Sequence, residues 1–250
     1  MPIETLLLDA GGVVVFPNWV RVSETFARHG IHVSPDALRR ADPRARFAVD
    51  RASTVATTND ADRGSQYFRL VLAYAGIAAD APIDEPLREL WNYHMAHNLW
   101  EHVPADVVPA LERLAALGLR LAIASNANGA LQRAFDRLGL TRHFHAICDS
   151  CVEGAEKPDP RFFEIVMTRA GGRPETTMHV GDLYHVDVVG ARQAGLRPLL
   201  MDPYDLYAGF DVERVRSLGD VVKLLHGERN GVDGGHGLEH EDAEARRHTE

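Results

Sequence analysis

The distribution of hydrophobic and polar residues divides the chain into stretches with different periodicities. The short, largely apolar run Thr5–Leu8 precedes Asp9 and two glycines, a pattern typical of a buried strand that ends in a loop. From about residue 19 to residue 100, apolar residues recur at helical spacing, as at Val22 and Phe26, and prolines separate the helical pieces. No strand pattern is clear there. The sequence therefore predicts a set of helices inserted after the first strand.

Beyond Pro104, strand and helix patterns alternate along the chain. This alternation predicts an α/β fold with a Rossmann-like, doubly wound parallel sheet, in which ligands bind beyond the carboxyl ends of the strands. We expect helices over 107–117, 130–138, 161–170, 186–194 and 218–225, and strands over 119–124, 145–148, 177–180 and 198–201.

The same patterns predict a domain organisation. We expect a core formed by residues 1–16 and 101–226, with the inserted helices spanning 17–100. From residue 227 to residue 250 the chain consists mainly of Gly, His and charged residues, which predicts a flexible tail.

Charge and hydropathy restrict the classes of partner. A formal net charge of −9 argues against nucleic acid as a partner, because clustered Lys and Arg residues are needed to bind its phosphates. No apolar stretch approaches the roughly 20 residues needed to cross a bilayer. The first residues contain no basic leader with a cleavage site, so we expect a cytoplasmic protein that binds no membrane. The sequence leaves the oligomeric state open.

Candidate chemistry is concentrated at the predicted strand ends. Asp9 follows the first strand, Ser125 and Asn126 follow the next, and further along lie Lys157 and the pair of Asp182 and Asp187. Each residue alone has an ordinary structural explanation, such as capping a helix or beginning a turn. Together they predict a ligand site at one edge of the sheet.

These residues carry a resemblance to the haloacid dehalogenase superfamily, which extends over the chain up to the predicted tail. The four motifs of that family resemble Leu8-Asp9-Ala10-Gly11-Gly12-Val13, Ala124-Ser125-Asn126, Glu156-Lys157-Pro158-Asp159-Pro160 and Val180-Gly181-Asp182-Leu183-Tyr184-His185-Val186-Asp187. The resemblance implies that the helices over 17–100 form a cap over the active site.

The resemblance also implies a role for each motif residue. Asp9 would be the nucleophile that forms an aspartyl phosphate, and Mg²⁺ would be held by Asp9, Asp182, Asp187 and the backbone carbonyl of Gly11, with Asp187 more an orienting group. Phosphate would be bound by Ser125, Asn126 and Lys157, of which Ser125 and Lys157 also count as catalytic.

One position departs from the family pattern. Family phosphatases usually carry an acid and base two residues after the nucleophile, where this chain has Gly11. We expect a magnesium-dependent phosphatase of a small phosphorylated metabolite that either favours good leaving groups, such as sugar 1-phosphates or acyl phosphates, or borrows an acid from the substrate or the cap. The candidate acids in or beside the cap are His94, His97 and His102.

Two alternatives stay open. A 2-haloacid dehalogenase would use Asp9 on carbon without a metal, although such enzymes usually lack the acidic residue found here at Asp182. A catalytically impaired phosphate-binding or regulatory protein would explain Gly11, although the nucleophile and both motif-four carboxylates are retained. Neither the substrate nor the group replacing the acid follows from the sequence.

Overall fold

The computed structural model describes residues 1–51, 54–55 and 60–233. Its centre is a six-stranded sheet with the strand order β5-β4-β1-β6-β7-β8, and every neighbouring pair is parallel. This confirms the predicted doubly wound α/β fold. The strands are β1 (Thr5–Leu8), β4 (Arg120–Ser125), β5 (Ala146–Asp149), β6 (Thr177–Gly181), β7 (Arg197–Met201) and β8 (Arg214–Val215).

The strand register determines which loops meet at the edge of the sheet. In β1, Leu8 pairs with Ile123 of β4 on one side and with Val180 of β6 on the other. Because all three strands run in the same direction, the residues that follow them emerge together at the carboxyl edge. All four residues of β1 are buried, as expected for a central strand covered on both faces.

Helices cover both faces of this sheet and bury two apolar layers. One layer packs Leu6, Leu8 and Ile123 against Leu111, and the other packs Leu7 and Ala122 against neighbours that include Phe162 and Phe163. The helices and turns of this part are α5 (Val107–Ala116), α6 (Leu131–Arg137), α7 (Ser150–Glu153), α8 (Pro160–Ala170), a π-helical turn (Tyr184–Val188), α9 (Val189–Gln193) and α10 (Leu218–Asp233).

The helices inserted after β1 have a hydrophobic cluster of their own, which includes Trp19, Phe26, Leu38 and Val71. Phe16–Pro17 (β2) and Trp100–His102 (β3) pair antiparallel where the chain leaves and re-enters the sheet region. The described helices between them are α1 (Trp19–Arg28), α2 (Pro35–Val49), α3 (Asp60–Tyr74) and α4 (Asp84–His97).

The structure differs from the predicted elements in several places. The last helix continues to Asp233 instead of ending at Leu225, because Arg229 donates hydrogen bonds to the carbonyls of Ile3 and Leu117 and holds the extra turns on the core. The residues from 227 to 233 are therefore helical, and the rest of the predicted tail lies outside the described residues.

Three smaller differences concern elements that the patterns misplaced or missed. The predicted helix over 186–194 begins earlier, as a π-helical turn at Tyr184. The two-residue strand β8 was not predicted, and neither was β3, whose first residue is Trp100. Strands this short are specified mainly by their pairing partners and carry little local signal. Over the described residues, no helix is both long and apolar enough to cross a bilayer.

Candidate active site

Three neighbouring strands deliver the predicted site residues to one cavity. Asp9 directly follows β1, Ser125 is the last residue of β4, and Asp182 directly follows β6. Asn126 and Lys157 line the same cavity of about 990 Å³. The carboxyl edge of the sheet thus brings together residues that lie far apart in the sequence.

Lys157 lies at the centre of the charged groups. Its side chain is 1% exposed, and Nζ lies 2.7 Å from Oδ1 of Asp187 and 3.0 Å from Oδ1 of Asp9. The Asn126 side chain fixes the loop that carries it, because Oδ1 accepts from the Lys157 N–H at 2.8 Å and Nδ2 donates to the Lys157 carbonyl at 3.0 Å. The Asn126 side chain is therefore engaged within the protein, which leaves its backbone for the predicted contact with phosphate.

Burial and neighbouring charges together determine the ionisation of these groups. Burial raises the pKa of Asp9 to about 8, an effect that the ammonium of Lys157 partly offsets. Burial would lower the pKa of Lys157, but the carboxylates of Asp187 and Asp9 outweigh it and raise that pKa. Burial likewise opposes ionisation of Asp187, yet Lys157 and His179 hold its pKa well below the usual range. Lys157 and Asp187 therefore form a charged pair beside Asp9.

Both oxygens of Asp187 have partners inside the protein. Oδ1 contacts Lys157 Nζ at 2.7 Å and His179 Nε2 at 2.9 Å, while Oδ2 accepts from the N–H groups of Asp182 at 3.2 Å and Leu183 at 3.0 Å. These contacts fit the predicted orienting role better than direct metal ligation. His179, a buried residue of β6, was not singled out by sequence reasoning because a single histidine in a strand carries no motif.

The acidic cluster is suited to a hard cation. Asp9, Asp182 and Asp187 are buried, and one carboxylate oxygen from each lies within 4.8 Å of the others. Three converging carboxylates lower one another's tendency to ionise, and burial raises the pKa of Asp182 to about 6 although Arg46 opposes this. Oxygen ligands of this kind are those that Mg²⁺ prefers, so the donor set fits the implied metal. Gly11 lines the cavity beside them.

Arg46 of α2 is a site residue that sequence reasoning missed. Its guanidinium bonds Oδ2 of Asp182 across the cavity, and Nε donates to Oδ1 of Asp42 at 3.0 Å. The hydroxyl of Tyr67 also donates to Oδ1 of Asp42, at 2.7 Å. These contacts connect an inserted helix directly to a predicted metal ligand.

A second contact of α2 fixes the backbone of motif four. Asp50, which follows the helix, accepts hydrogen bonds from the N–H groups of Tyr184 at 2.6 Å and His185 at 3.0 Å. It also accepts from the Tyr207 hydroxyl at 2.7 Å. Asp50 thereby caps the π-helical turn that holds Asp187. An aspartate directly after a helix is usually a surface residue, so the sequence gave no indication that Asp50 makes this contact.

The position of Gly11 is explained by its neighbour Trp100. A Cβ atom at Gly11 would lie 3.2 Å from Nε1 and 3.4 Å from Cδ1 of the Trp100 indole. A side chain at this position would therefore pack tightly against the indole, which would have to move by a few tenths of an ångström.

Of the three candidate histidines, only His94 belongs to the described residues that line the cavity. Burial lowers the pKa of His94 to about 4, and its Nδ1 accepts from the Leu99 N–H at 3.2 Å. His97 stacks on Tyr93, with 4.9 Å between ring centroids, and His102 is exposed in β3. A neutral His94 is poorly suited to protonate a leaving group at neutral pH.

The fold and this site define a class of protein, namely an α/β enzyme with acidic residues grouped at the carboxyl edge of its sheet. A family model described as haloacid dehalogenase-like hydrolase matches residues 3–195. The chain belongs to this family, as its motifs predicted.

Individual relatives agree with the assignment. The chain is 33% identical over 131 residues to glyceraldehyde 3-phosphate phosphatase of Methanopyrus kandleri, covering 48% of this chain and 56% of that protein. It is 29% identical over 176 residues to human haloacid dehalogenase-like hydrolase domain-containing protein 3, covering 69% and 70%. The match thus spans little more than half of the archaeal enzyme.

A solved structure supports the fold. The HAD-hydrolase YfnB from Bacillus subtilis, determined bound to magnesium, aligns with a TM-score of 0.64 over 90% of this chain and 99% of that chain. At 19% identity, the likeness concerns the fold alone.

Proposed function

We propose that the chain is a magnesium-dependent phosphatase that hydrolyses a small phosphorylated metabolite through an aspartyl phosphate on Asp9. The observation that carries this proposal is the convergence of Asp9, Asp182 and Asp187 around the buried ammonium of Lys157. Such a group combines a carboxylate nucleophile with the positive charge that a phosphoryl group requires. The phosphatase named among the relatives supports the same reaction class.

The reaction has two halves. A carboxylate oxygen of Asp9 attacks phosphorus, the ester P–O bond breaks, and its electron pair leaves on the alcohol oxygen, which takes a proton from water. A second water then attacks phosphorus and gives its proton to the hydroxide left by the first half, the bond to Asp9 breaks, and phosphate leaves. Lys157 holds the phosphoryl oxygens near Asp9 and stabilises the negative charge throughout.

The implied metal would be held by Asp9, Asp182 and the carbonyl of Gly11, with Asp187 orienting the loop. When bound, Mg²⁺ supplies positive charge that offsets repulsion between Asp9 and the anionic substrate. Ser125 would donate to a phosphoryl oxygen, since among the described residues its hydroxyl makes a long contact of 3.5 Å to the Asn126 carbonyl. We further propose that the helices over 17–100 act as a cap that closes over this reaction.

The proton for the leaving alcohol has no protein donor at Gly11, and His94 is neutral. The chain therefore favours esters whose alcohols leave without strong assistance. Cytoplasmic location and the absence of nucleic-acid or membrane partners stay predictions from the sequence.

The test is phosphate release from 4-nitrophenyl phosphate with and without Mg²⁺, with chloride release from 2-chloropropionate assayed in parallel. We expect Mg²⁺-dependent phosphate release that Asp9→Asn abolishes. The matched control is Asp80→Asn, an exposed aspartate outside the cavity, which should retain full activity. Metal-independent chloride release would replace the proposal with the dehalogenase. If phosphate binds but neither product forms, the chain is a phosphate-binding protein.

A further inference from the structure

Part of the cavity lining, here called the wall, is aromatic and aliphatic and includes Trp91, Met95 and Trp100. Trp91 and Met95 lie one turn apart on α4, line the cavity, and are each 44% exposed. Large apolar side chains exposed together inside a concave site are typical of a surface that a ligand covers. The described helices thus offer an apolar surface inside the cavity that holds the site residues.

This surface extends to the reaction centre. The Trp100 ring has its centroid 5.4 Å from that of His94 and 5.8 Å from that of Phe68. The centroids of Trp91 and His94 are 5.6 Å apart. The indole of Trp100 also borders Gly11, because a Cβ atom at Gly11 would lie 3.2 Å from Nε1. These rings therefore reach the residue two positions after Asp9. An ester bound at Asp9 would therefore share one cavity with these rings.

The polar side chains around the cavity are largely engaged with the protein. Asn128 donates to the His94 carbonyl at 3.0 Å and accepts from the Ala130 N–H at 3.1 Å. Arg69 pairs with Asp84 at 2.7 Å, and Arg88 pairs with Glu85 at 3.1 Å. A sugar that entered would exchange its bonds to water for few bonds to these groups, which is unfavourable.

We propose that the preferred substrate is a phosphate ester whose leaving alcohol is apolar and aromatic, bound between Trp91, Met95 and Trp100. The inference rests on the proposed phosphatase function and names its substrate class. Aromatic rings gain from edge-to-face or offset contacts beyond the burial of area. A phenol also leaves more readily than an aliphatic alcohol, which suits a site without an acid at Gly11.

The test uses phenyl phosphates with 4-methyl, 4-ethyl and 4-butyl substituents, because alkyl groups at this position hardly change how readily the phenol leaves. We expect kcat/KM to rise by up to about fourfold for each methylene that becomes buried. The matched polar substrate is 4-(hydroxymethyl)phenyl phosphate, similar in size to the 4-ethyl ester, which should react roughly tenfold more slowly. Glucose 1-phosphate should be a poorer substrate than all of them.

Variants at Trp91 and Met95 test whether these side chains cause the preference for alkyl-substituted esters. Trp91→Ala and Met95→Ala should each lower the ratio of kcat/KM for the 4-butyl ester to that for phenyl phosphate, by roughly tenfold and threefold respectively. Tyr204→Ala, which removes an exposed aromatic ring outside the cavity, should leave this ratio unchanged. Calorimetric titration with 4-butylphenylphosphonate, which is not hydrolysed, should show the same loss of affinity in the wall variants.

The outcomes separate the two proposals. If no ester releases phosphate with Mg²⁺, the phosphatase function fails. If phosphate is released but kcat/KM is flat across the alkyl series, or higher for glucose 1-phosphate, the phosphatase stands and the apolar substrate class is wrong. If Tyr204→Ala changes this ratio of kcat/KM values as much as Trp91→Ala does, the wall does not determine the preference for apolar esters. The proposed substrate class is then wrong.

Discussion

The indole nitrogen of Trp100 lies 3.2 Å from the point where a side chain at Gly11 would begin. Trp100 belongs to β3, which returns the chain from the inserted helices to the sheet, so the space beside Gly11 is bordered by a residue 89 positions further along the chain. Gly11 and Trp100 are thus packed closely, and a side chain at position 11 requires the indole to shift.

We expect Gly11→Asp to destabilise the fold by about 1–2 kcal/mol, because the added atoms must displace the indole. The loss should be smaller in a Trp100→Phe background, where the shorter ring leaves room. Urea unfolding of both single variants and the double variant measures this coupling. Equal losses in the two backgrounds would show that Trp100 does not restrict the position.

Replacing Lys157 by methionine should cost about 3–5 kcal/mol of unfolding free energy, because the buried carboxylates of Asp187 and Asp9 lose their counter-charge. Adding Asp187→Asn should recover part of the loss, since one uncompensated charge disappears. Chemical denaturation checks both. A double variant less stable than Lys157→Met would mean that the other contacts of Asp187 matter more than the ion pair.

In the proposed Mg²⁺ site, Arg46 would compete with the cation for Asp182, because its guanidinium already bonds Oδ2 of that residue. Arg46→Gln should therefore tighten Mg²⁺ binding by about tenfold, which corresponds to about 1.4 kcal/mol of relieved repulsion and competition. Calorimetric titration of Mg²⁺ without substrate gives the affinity directly. Arg39→Gln is the matched control, because Arg39 lies on the same helix and pairs with Asp36 at the surface. Weaker Mg²⁺ binding in Arg46→Gln would show that the guanidinium supports the metal site.

The lowered pKa of His94 predicts a contribution to stability that depends on pH with a definite sign. Its pKa is lowered to about 4 in the folded chain, below its usual value, so the unfolded state binds the proton more readily. The contribution is complete above about pH 6.5 and decreases as the pH falls towards 4. Allowing for partial exposure, we expect wild type to lose about 1 kcal/mol more than His94→Gln between pH 7 and pH 5.

Thermal or urea unfolding at the two pH values measures that difference. His97→Gln, a change three residues further along the same helix, should behave like wild type. If wild type and His94→Gln share the same pH dependence, the buried imidazole does not contribute in this way.

The sequence predicted the parts of the site that depend on strand ends. Asp9, Ser125 and Asp182 each adjoin a strand with a clear apolar pattern, and parallel strands necessarily bring such residues to one edge. Lys157 was found through its motif, although it lies in a loop. The alternation of strands and helices likewise determined the fold class from local patterns alone.

The contacts of Arg46, Asp50 and Trp100 could not be predicted in the same way. Arg46 meets Asp182 across a separation of 136 residues, and this depends on how the inserted helices pack on the sheet. An arginine in a helix is normally a solvated residue, and nothing in its neighbours distinguishes this one. Such contacts follow from tertiary packing, which cannot be deduced from the spacing of apolar residues along the chain.

The two contacts of α2 with motif four also bear on how this protein can diverge or be recombined. Asp50 caps the turn that carries Asp187, and Arg46 bonds Asp182, so a chimaera that received foreign helices over 17–100 would lose both anchors at once. The insertion can therefore be exchanged without loss of these contacts only if α2, the loop after β6 and the segment around Tyr207 change together.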